Sequence, residues 1–296
     1  MANLLEAVLQ IIKDPFIELQ NYRRVRNRAN AIGDALEKYV KDFFALTVRE
    51  DSEETRNQIF SQVFSYSGNQ NNPPDLILRD GDAIETKKVQ SPNSALALNS
   101  SYPKAKLYAE SNMITSACRM CEDWREKDIA YVIGYTTDVS LKYLWIVYGD
   151  CFAASSEVYE RIRRTISEGV NCIPGVEFTD SKEIAKVKKV DPLGITDLRI
   201  RGMWHIENPH TIFHYLNCTV PGARFQLIVL MRKSKFDTFP DKDREALRNL
   251  KIRNYEIREV RFKNPDNPAQ LIDGVLITFR ILQNGNNNPV TGELDL

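Results

Sequence analysis

Cysteine and histidine are scarce in this sequence. Its 296 residues include three histidines and five cysteines, which stand at irregular spacings: Cys118, Cys121, Cys151, Cys172 and Cys218. An odd and irregular set argues against a disulfide framework. Cys118 and Cys121 have half of a zinc-ligand spacing, but the sequence has no second such pair. Reduced, partly buried thiols are therefore the favoured interpretation.

Long apolar runs are absent as well. No stretch approaches the roughly 20 apolar residues that a membrane-spanning helix needs. The first helix-like stretch, Asn3–Lys13, carries Glu6 and has no small-residue cleavage site of the kind that ends a signal peptide. We therefore predict a cytoplasmic protein with no membrane partner.

Neither sign of charge is in excess. The chain has 40 basic and 40 acidic residues and a formal net charge of zero. Proteins that bind nucleic acid are often basic, so this balance weakly opposes such a role. The distribution matters more than the sum, because a phosphate backbone meets only the facing surface. Four arginines lie within Tyr22–Arg28, so a basic cleft on a neutral protein is compatible with the composition.

Apolar periodicity predicts a mixture of helices and strands. Helical spacing runs through Asn30–Phe44 and, over a shorter stretch, Asn3–Ile12. Further helices are predicted at Phe152–Ser167 and Asp241–Leu250. Strands are predicted at Asp75–Arg79, Asp82–Val89, Ile129–Thr136, Leu141–Tyr148, Phe225–Met231, Tyr255–Phe262 and Gly274–Ile281. This order indicates an α/β fold with a central mixed β-sheet flanked by helices.

One constellation in the first predicted hairpin carries chemistry. Side chains alternate across a strand, so Glu85 and Lys87 share one face of Asp82–Val89. Asp75 begins the preceding strand, and a tight turn at Arg79–Asp82 can bring it alongside them. The residue types are common, and Glu-x-Lys alone arises by chance in most proteins. The predicted half-apolar strand and the preceding amphipathic helix strengthen the assignment.

These three side chains suit phosphodiester hydrolysis. Two carboxylates, Asp75 and Glu85, can hold Mg²⁺ and leave positions for water and a phosphate oxygen. A nearby lysine, Lys87, can orient or activate the attacking water and neutralise charge in the transition state. Glu37 lies at the border of the apolar stripe of the predicted helix. It either joins or orients the metal site, or is an ordinary solvated helix residue.

The sequence around these residues resembles that of one known family. Asp75, Glu85 and Lys87 match the PD-(D/E)xK nuclease motif, and the longer blocks are similar to NgoPII-type restriction endonucleases over roughly residues 20 to 280. The blocks are Arg26–Asn30, Gly33–Glu37, Phe64–Gly68, Asn72–Asp75, Gly81–Lys88, Ser94–Ser101 and Asp191–Trp204. They are far more specific than the catalytic triplet alone.

The resemblance implies a type II restriction endonuclease. It implies a homodimer with a restriction-endonuclease-like α/β core that cuts double-stranded DNA at a short palindrome, GGCC, with magnesium as cofactor. Asp75 and Glu85 would be metal ligands, Lys87 the catalytic lysine and Glu37 an auxiliary acid. We expect one nuclease domain over residues 1–296, with its catalytic core at about 20–170. Residues 171–296 would be an additional lobe that contributes to DNA recognition.

Several polar residues are candidates for DNA contact. Arginine reads guanine best in the major groove, and Arg199 and Arg201 alternate so that both point the same way; they are otherwise surface charges on an edge strand. A polar run after the catalytic strand suits phosphate and base-edge contacts, or else caps a helix that starts near Pro103. The remaining candidates, in the arginine-rich segment and just after it, would bind phosphates or contact bases. Otherwise they are charged and polar residues on the solvent-exposed surface of a helix. The full set is Arg26, Asn27, Arg28, Asn30, Ser94, Asn99, Ser100, Ser101, Lys104, Arg199 and Arg201.

Three other functions compete with this interpretation. A repair nickase or junction resolvase would share the metal site but differ in target. A non-catalytic DNA-binding protein would bind without cleavage. A DNA methyltransferase is suggested only by Asn72–Asp75, where an aromatic residue should follow the two prolines but Asp75 stands instead. A glycine-rich cofactor loop after a strand is also missing.

Overall fold

The computed structural model describes most of the chain. It covers residues 2–19, 28–69, 72–98, 100–137, 140–173, 177–178 and 185–283; of residues 28–34, 69, 171 and 177–178 it describes the backbone alone. Within these ranges, no helix is long and apolar enough to cross a membrane.

The helices are short except for two. The first, α1, begins at the N-cap Asn3, whose side chain accepts hydrogen bonds from the Leu5 and Glu6 amides at 2.9 and 3.1 Å. The described helices are α1 (Leu4–Lys13), α2 (Arg28–Ala45), α3 (Glu53–Val63), α4 (Ser116–Arg119), α5 (Gly149–Phe152), α6 (Ser156–Asn171), α7 (Pro209–Ile212), α8 (Lys233–Thr238) and α9 (Asp241–Arg248), with a 3₁₀ turn at His214–Leu216.

Seven of the described strands match the predicted apolar runs, and the other seven were not predicted. They are β1 (Phe64–Asn69), β2 (Asn72–Leu78), β3 (Ala83–Val89), β4 (Leu96–Ala97), β5 (Lys106–Tyr108), β6 (Glu126–Thr137), β7 (Ser140–Tyr148), β8 (Glu177–Phe178), β9 (Ala185–Lys188), β10 (Leu198–Ile200), β11 (His205–Ile206), β12 (Ala223–Arg232), β13 (Tyr255–Lys263) and β14 (Leu271–Leu282).

A mixed sheet of nine strands forms the centre of the described residues. Its order is β1-β2-β3-β6-β7-β12-β14-β13, with β5 paired to β6. Neighbours β3 and β6 run parallel, as do β7 and β12, while the other pairs are antiparallel. The prediction of a restriction-endonuclease-like α/β core with a central mixed sheet flanked by helices is therefore confirmed.

Strands from both halves of the chain share this sheet. Strand β12 pairs with β7 and brings β13 and β14 with it, because its side chains from Phe225 to Met231 are all buried. Outside the central sheet lie the three-stranded sheet β10-β9-β8 and the pair β11-β4. The division into a core at about 20–170 and an added lobe stays a prediction.

One predicted helix is wrong in its extent. The pattern at Phe152–Ser167 predicts one helix, but the structure has α5 ending at Phe152 and α6 beginning at Ser156. Ala153 and Ser155 have extended backbone angles between the two helices. Apolar spacing continues through this break, so periodicity alone does not detect it.

Helix α2 packs on the central sheet through a close approach at Gly134 of β6. A Cβ atom built on Gly134 would lie 2.6 Å from Cδ2 of Leu36, whose side chain is fully buried. The absence of a side chain at Gly134 therefore sets how near α2 lies to the strands. Glu37 follows Leu36, so the same contact sets the position of Glu37 relative to β3.

We expect Gly134→Ala to lower the free energy of unfolding by about 1–3 kcal/mol, because the added methyl overpacks the α2–sheet contact. Thermal or urea unfolding measures this loss. The double variant Gly134→Ala, Leu36→Ala should lose less than the sum of the two single variants, since shortening Leu36 removes the clash. Strict additivity of the two losses would contradict the proposed contact.

Candidate active site

The Asp75 side chain closes the hydrogen-bonding gap where β2 leaves β3. The β2–β3 register pairs Leu76 with Ile84 and Ile77 with Ala83. Two residues beyond Ile84, the Thr86 amide donates to Oδ2 of Asp75 at 2.6 Å. The Asp75 carboxylate thus takes the place of a main-chain acceptor, and it is held against the middle of β3.

Strand β1 supports the backbone of Asp75 from the other side. A Cβ atom built on Gly68 would lie 2.3 Å from the carbonyl oxygen of Pro74 and 3.2 Å from that of Asp75. Only glycine fits such an approach of one strand to another. Asp75 is therefore positioned by β1 and β3 together.

Glu85 and Lys87 form an ion pair on β3. Their Oε1 and Nζ atoms are 2.6 Å apart, as expected for residues that alternate onto the same face of a strand. The predicted proximity of the two side chains is confirmed. Asp75 lies close enough that its charge and that of Glu85 both raise the pKa of Lys87.

Burial of these charges shifts their protonation. Burial, followed by the neighbouring Glu85 carboxylate, raises the pKa of Asp75 well above its ordinary value, against Lys87 and the Thr86 amide, which lower it. Burial lowers the pKa of Lys87, but Glu85 and Asp75 outweigh it, so the net direction is upward. A buried carboxyl group that resists ionisation next to a second carboxylate, beside a firmly protonated lysine, is typical of a site completed by a cation.

The donor set fits Mg²⁺. Oε2 of Glu85 is buried and accepts no hydrogen bond from any residue that the structure describes. Buried carboxylate oxygens need a partner, and a divalent cation supplies one. No group of three or more His, Cys, Asp or Glu side chains capable of holding a metal occurs among the described residues. Mg²⁺ commonly uses one or two carboxylates and completes its shell with water and substrate phosphate, so a pair such as Asp75 and Glu85 has the chemistry that this ion requires.

Glu37 is exposed on α2 and lies within electrostatic range of the site. Its charge helps to raise the pKa of both Asp75 and Lys87, although burial and the nearer charges have larger effects. A residue at that range can steer a cation or order water around it. Direct ligation is not part of the described geometry.

Lys104 is a second lysine beside the acids. It is 6% exposed, and its Nζ lies 4.4 Å from the centre of the Tyr102 ring. Burial lowers the pKa of Lys104 to about 8, although Glu85 and Glu160 oppose this. The predicted surface contact is therefore an inward-facing side chain, electrostatically coupled to Glu85.

Tyr131 holds Lys104 in place and was not identified from the sequence. Its hydroxyl accepts from the Lys104 amide at 2.8 Å and contacts the Lys104 carbonyl at 3.4 Å. Tyr131 pairs in register with Glu85 across the parallel strands β3 and β6, so the two side chains share a face of the sheet. Nothing in the local sequence marks this tyrosine, because it follows from strand pairing alone.

A buried asparagine, Asn208, anchors the start of the polar segment that follows β3. The Asn208 side chain donates to the Ser94 carbonyl at 3.1 Å and to the Tyr143 hydroxyl at 2.9 Å. Ser100 is exposed and Ser101 is half-buried. The alternative that this run caps a helix near Pro103 is wrong, because strand β5 follows instead.

The other predicted DNA contacts differ in what the structure describes. Arg199 and Arg201 are exposed, with Arg199 on β10 opposite Lys186 of β9. Arg26, Asn27 and Asn99 lie outside the described residues, as do the side chains of Arg28 and Asn30.

We expect Mg²⁺ affinity to rise with pH, because a cation must displace the proton that the raised pKa of Asp75 retains. Below that pKa the apparent affinity should rise about tenfold for each pH unit, and above it the curve should level off. Cleavage titrated with Mg²⁺ at several pH values measures this. An apparent affinity that stays constant from about pH 4, the ordinary value of an aspartate, to about pH 8 would contradict the coupling.

A mixed sheet whose second and third strands bring Asp75, Glu85 and Lys87 together defines a restriction-endonuclease-like nuclease core. Comparison with known proteins agrees. The family model for the NgoPII restriction endonuclease matches residues 2–263. The type II restriction enzyme NgoPII of Neisseria gonorrhoeae is 41% identical over 281 residues, which cover 94% of this chain and 100% of that enzyme. No solved structure matches the chain significantly.

The chain therefore belongs to the NgoPII restriction endonuclease family. Its enzyme class is that of a type II site-specific deoxyribonuclease. The resemblance seen in the sequence blocks is confirmed, and the match begins earlier in the chain than those blocks, at α1.

Proposed function

We propose that this enzyme cuts both strands of DNA at the palindrome GGCC, as a homodimer that depends on Mg²⁺. The observation that supports the catalytic part is the buried group formed by Asp75, Glu85 and Lys87, in which one carboxylate oxygen lacks a hydrogen-bond partner among the described residues. Family membership supports the type of target. The particular site, GGCC, follows from the resemblance of the sequence blocks.

Asp75 and Glu85 would hold the cation. Magnesium bound there supplies positive charge for a phosphate and lowers the pKa of a water molecule. Asp75 is oriented by the Thr86 amide, which leaves its second oxygen for the cation. Oε1 of Glu85 pairs with Lys87, so Oε2 would be the oxygen available to hold the cation. Glu37 would act from the exposed edge as an auxiliary acid that orders the surrounding water.

Lys87 would act as a donor rather than as a base. Its raised pKa keeps the ammonium protonated at neutral pH, so it can orient the attacking water and neutralise charge that develops on the phosphate. The ion pair to Glu85 fixes Nζ at the site before substrate arrives. A preset charge of this kind needs no reorganisation during the reaction.

Lys104 and the exposed arginines would bind the DNA. Lys104, in the segment after β4, is electrostatically coupled to Glu85 and would contact a phosphate next to the cut. Guanine presents N7 and O6 in the major groove, which arginine reads with two hydrogen bonds. Arg199 and Arg201 are exposed for that role. Ser94, Ser100 and Ser101 would add contacts to phosphates or base edges, together with Asn99, Arg26, Asn27, Arg28 and Asn30.

A palindromic target implies two-fold symmetry. Each copy of the chain carries one set of Asp75, Glu85 and Lys87, and cutting both strands requires two sets. The active assembly would therefore be a C2 dimer on the duplex. Sedimentation equilibrium with and without DNA tests this assembly directly.

Digestion of a plasmid of known sequence tests the proposal. With Mg²⁺ we expect discrete fragments whose ends map to GGCC, and with EDTA we expect no cutting. Sequencing of the ends gives the site and the stagger together. Fragments that map to another short sequence would overturn GGCC alone, random nicking would favour a repair-type nuclease, and no cleavage with any divalent metal would overturn the catalytic proposal.

A further inference from the structure

The β9–β10 hairpin, residues Ala185–Ile200, has a rigid tip. Its loop closes with a hydrogen bond from the Val190 amide to the Thr196 carbonyl at 2.9 Å. The Asp191 carboxylate accepts from the Leu193 amide at 3.0 Å and from the Thr196 amide at 2.7 Å. Gly194 supplies the positive φ of +67° that the turn requires. The tip is thus a preformed turn rather than an adaptable loop.

This preformed turn exposes two large apolar side chains. Leu193 is 80% exposed and Ile195 is 79% exposed, the highest values for large apolar residues in the described part of the chain. Single apolar residues scattered over a surface need no explanation. Two at the tip of a hydrogen-bonded hairpin form a small exposed apolar surface, which is typical of an interaction site. The hydrogen bonds of Asp191 hold both side chains away from the body of the protein.

The flank of the hairpin is basic. Residues 185–202 contain five lysines and arginines and two aspartates. On β9, Ala185 and Val187 are buried while the alternating Lys186 and Lys188 face outward. Lys186 stands directly opposite Arg199 of β10. Asp197 balances part of this charge, since its Oδ2 lies 3.2 Å from Nζ of Lys186. Basic residues still outnumber acidic ones along the hairpin, and that surplus would attract a polyanion.

The base of the hairpin is attached near the catalytic residues. Beyond β10, the Trp204 ring contacts those of Tyr102 and Tyr159 edge-on, with centroids 6.2 and 5.7 Å away. The Trp204 carbonyl accepts from the Leu98 amide at 2.8 Å. Tyr102 in turn carries the Lys104 ammonium over its ring. A ring cluster therefore links the hairpin to the lysine that is coupled to Glu85.

We propose that this hairpin inserts into the bound DNA: Leu193 and Ile195 enter a groove and wedge against a base step, while the basic face carrying Lys186, Lys188 and Arg199 lies along the phosphates. The inference rests on the proposed action on double-stranded DNA. A two-stranded ribbon fits a groove of the duplex. Apolar wedges between base steps unstack them and bend the helix, which lets more protein surface reach the backbone.

A second copy of the chain is the other candidate for covering this tip. Exposed apolar residues often mark protein interfaces. The charge around the tip disfavours that occupant, because two copies would bring the same basic faces together and repel each other. DNA would cover the apolar tip with its bases and neutralise the basic flank with its phosphates.

The test compares Leu193→Ser with Leu271→Ser, a control on β14 where the leucine is 54% exposed. The probe is a 30-base-pair duplex taken from the plasmid around a mapped cleavage site, bound in EDTA so that it stays intact. We expect Leu193→Ser to weaken binding about tenfold or more, because an apolar contact is lost. Its dependence on salt should be unchanged. Lys188→Ala should instead reduce the salt slope by about one.

Insertion has its own signal. With 2-aminopurine placed at successive positions of the duplex, the wild type should raise fluorescence at one step, and Leu193→Ser should abolish the rise. Equal binding by Leu193→Ser and Leu271→Ser, or a loss of dimer without a loss of DNA contact, would overturn the proposal. If the wild type cuts no DNA, the proposed function fails separately, and binding of the same variants to any 30-base-pair plasmid duplex still decides the role of the hairpin.

Discussion

Replacing Lys87 with alanine is expected to reduce cleavage about 100- to 10,000-fold. The variant removes the ammonium that lies 2.6 Å from Oε1 of Glu85, and with it the charge that would stabilise the transition state. Binding of duplex DNA in EDTA should change little, because the group acts on the reacting phosphate rather than along the backbone. The measurement is single-turnover cleavage at saturating Mg²⁺, beside a binding titration.

A matched control separates the role of Lys87 from the loss of an ion pair. Lys233 and Glu259 form a pair at the same distance, 2.6 Å, on the surface. Lys233→Ala should leave cleavage within about twofold, because exposed ion pairs contribute little to stability. Rescue of Lys87→Ala by higher Mg²⁺ would indicate that Lys87 only positions Glu85, the proposed metal ligand. Full activity of Lys87→Ala would overturn the assignment.

Asp75→Asn is expected to abolish cleavage and to stabilise the metal-free protein. Asparagine keeps an oxygen for the Thr86 amide but removes a carboxylate that burial and Glu85 disfavour. Because the pKa of Asp75 is raised in the folded state, the ionised group destabilises the fold once the pH exceeds its unfolded value. The gain in melting temperature should therefore be largest at neutral and alkaline pH and disappear near about pH 4.

Thermal unfolding in EDTA across this pH range measures the gain. Each kcal/mol should appear as about 2–4 °C for a chain of this size. Asp14→Asn is the control, since the Arg49 hydrogen bond lowers the pKa of Asp14 and its neutralisation should give no stabilisation. With Mg²⁺ present the order should reverse, because only the wild type gains stability from the bound cation. A melting temperature for Asp75→Asn that does not depend on pH would contradict the buried charge.

The hairpin that carries Asp75, Glu85 and Lys87 could be predicted because its geometry is local. Alternation along a strand places Glu85 and Lys87 on one face whatever surrounds them, and a tight turn returns the chain to Asp75. The structure confirms that arrangement. The break between α5 and α6 was not predictable in the same way, because apolar spacing continues across it.

Long-range pairing determined the rest of the site. Tyr131 reaches Lys104 only because β6 runs parallel to β3. Nothing in the sequence distinguishes Lys104 from the other polar residues that follow the strand. Likewise, a buried strand such as β12 is visible in the sequence as an apolar run, but the run does not indicate which strand it pairs with. Only the structure shows that β12 pairs with β7 and completes the sheet.

The sequence by itself determined the family, the mixed α/β class and the proximity of Asp75, Glu85 and Lys87 on one hairpin, because each rests on local order or on matched blocks. The tertiary structure alone decided that Lys104 faces inward, that Asn208 and Trp204 anchor the segment after β3, and that Leu193 and Ile195 project from a basic hairpin. Those contacts join residues far apart in the chain. Their energies depend on burial and on charges in neighbouring strands, which no local pattern records.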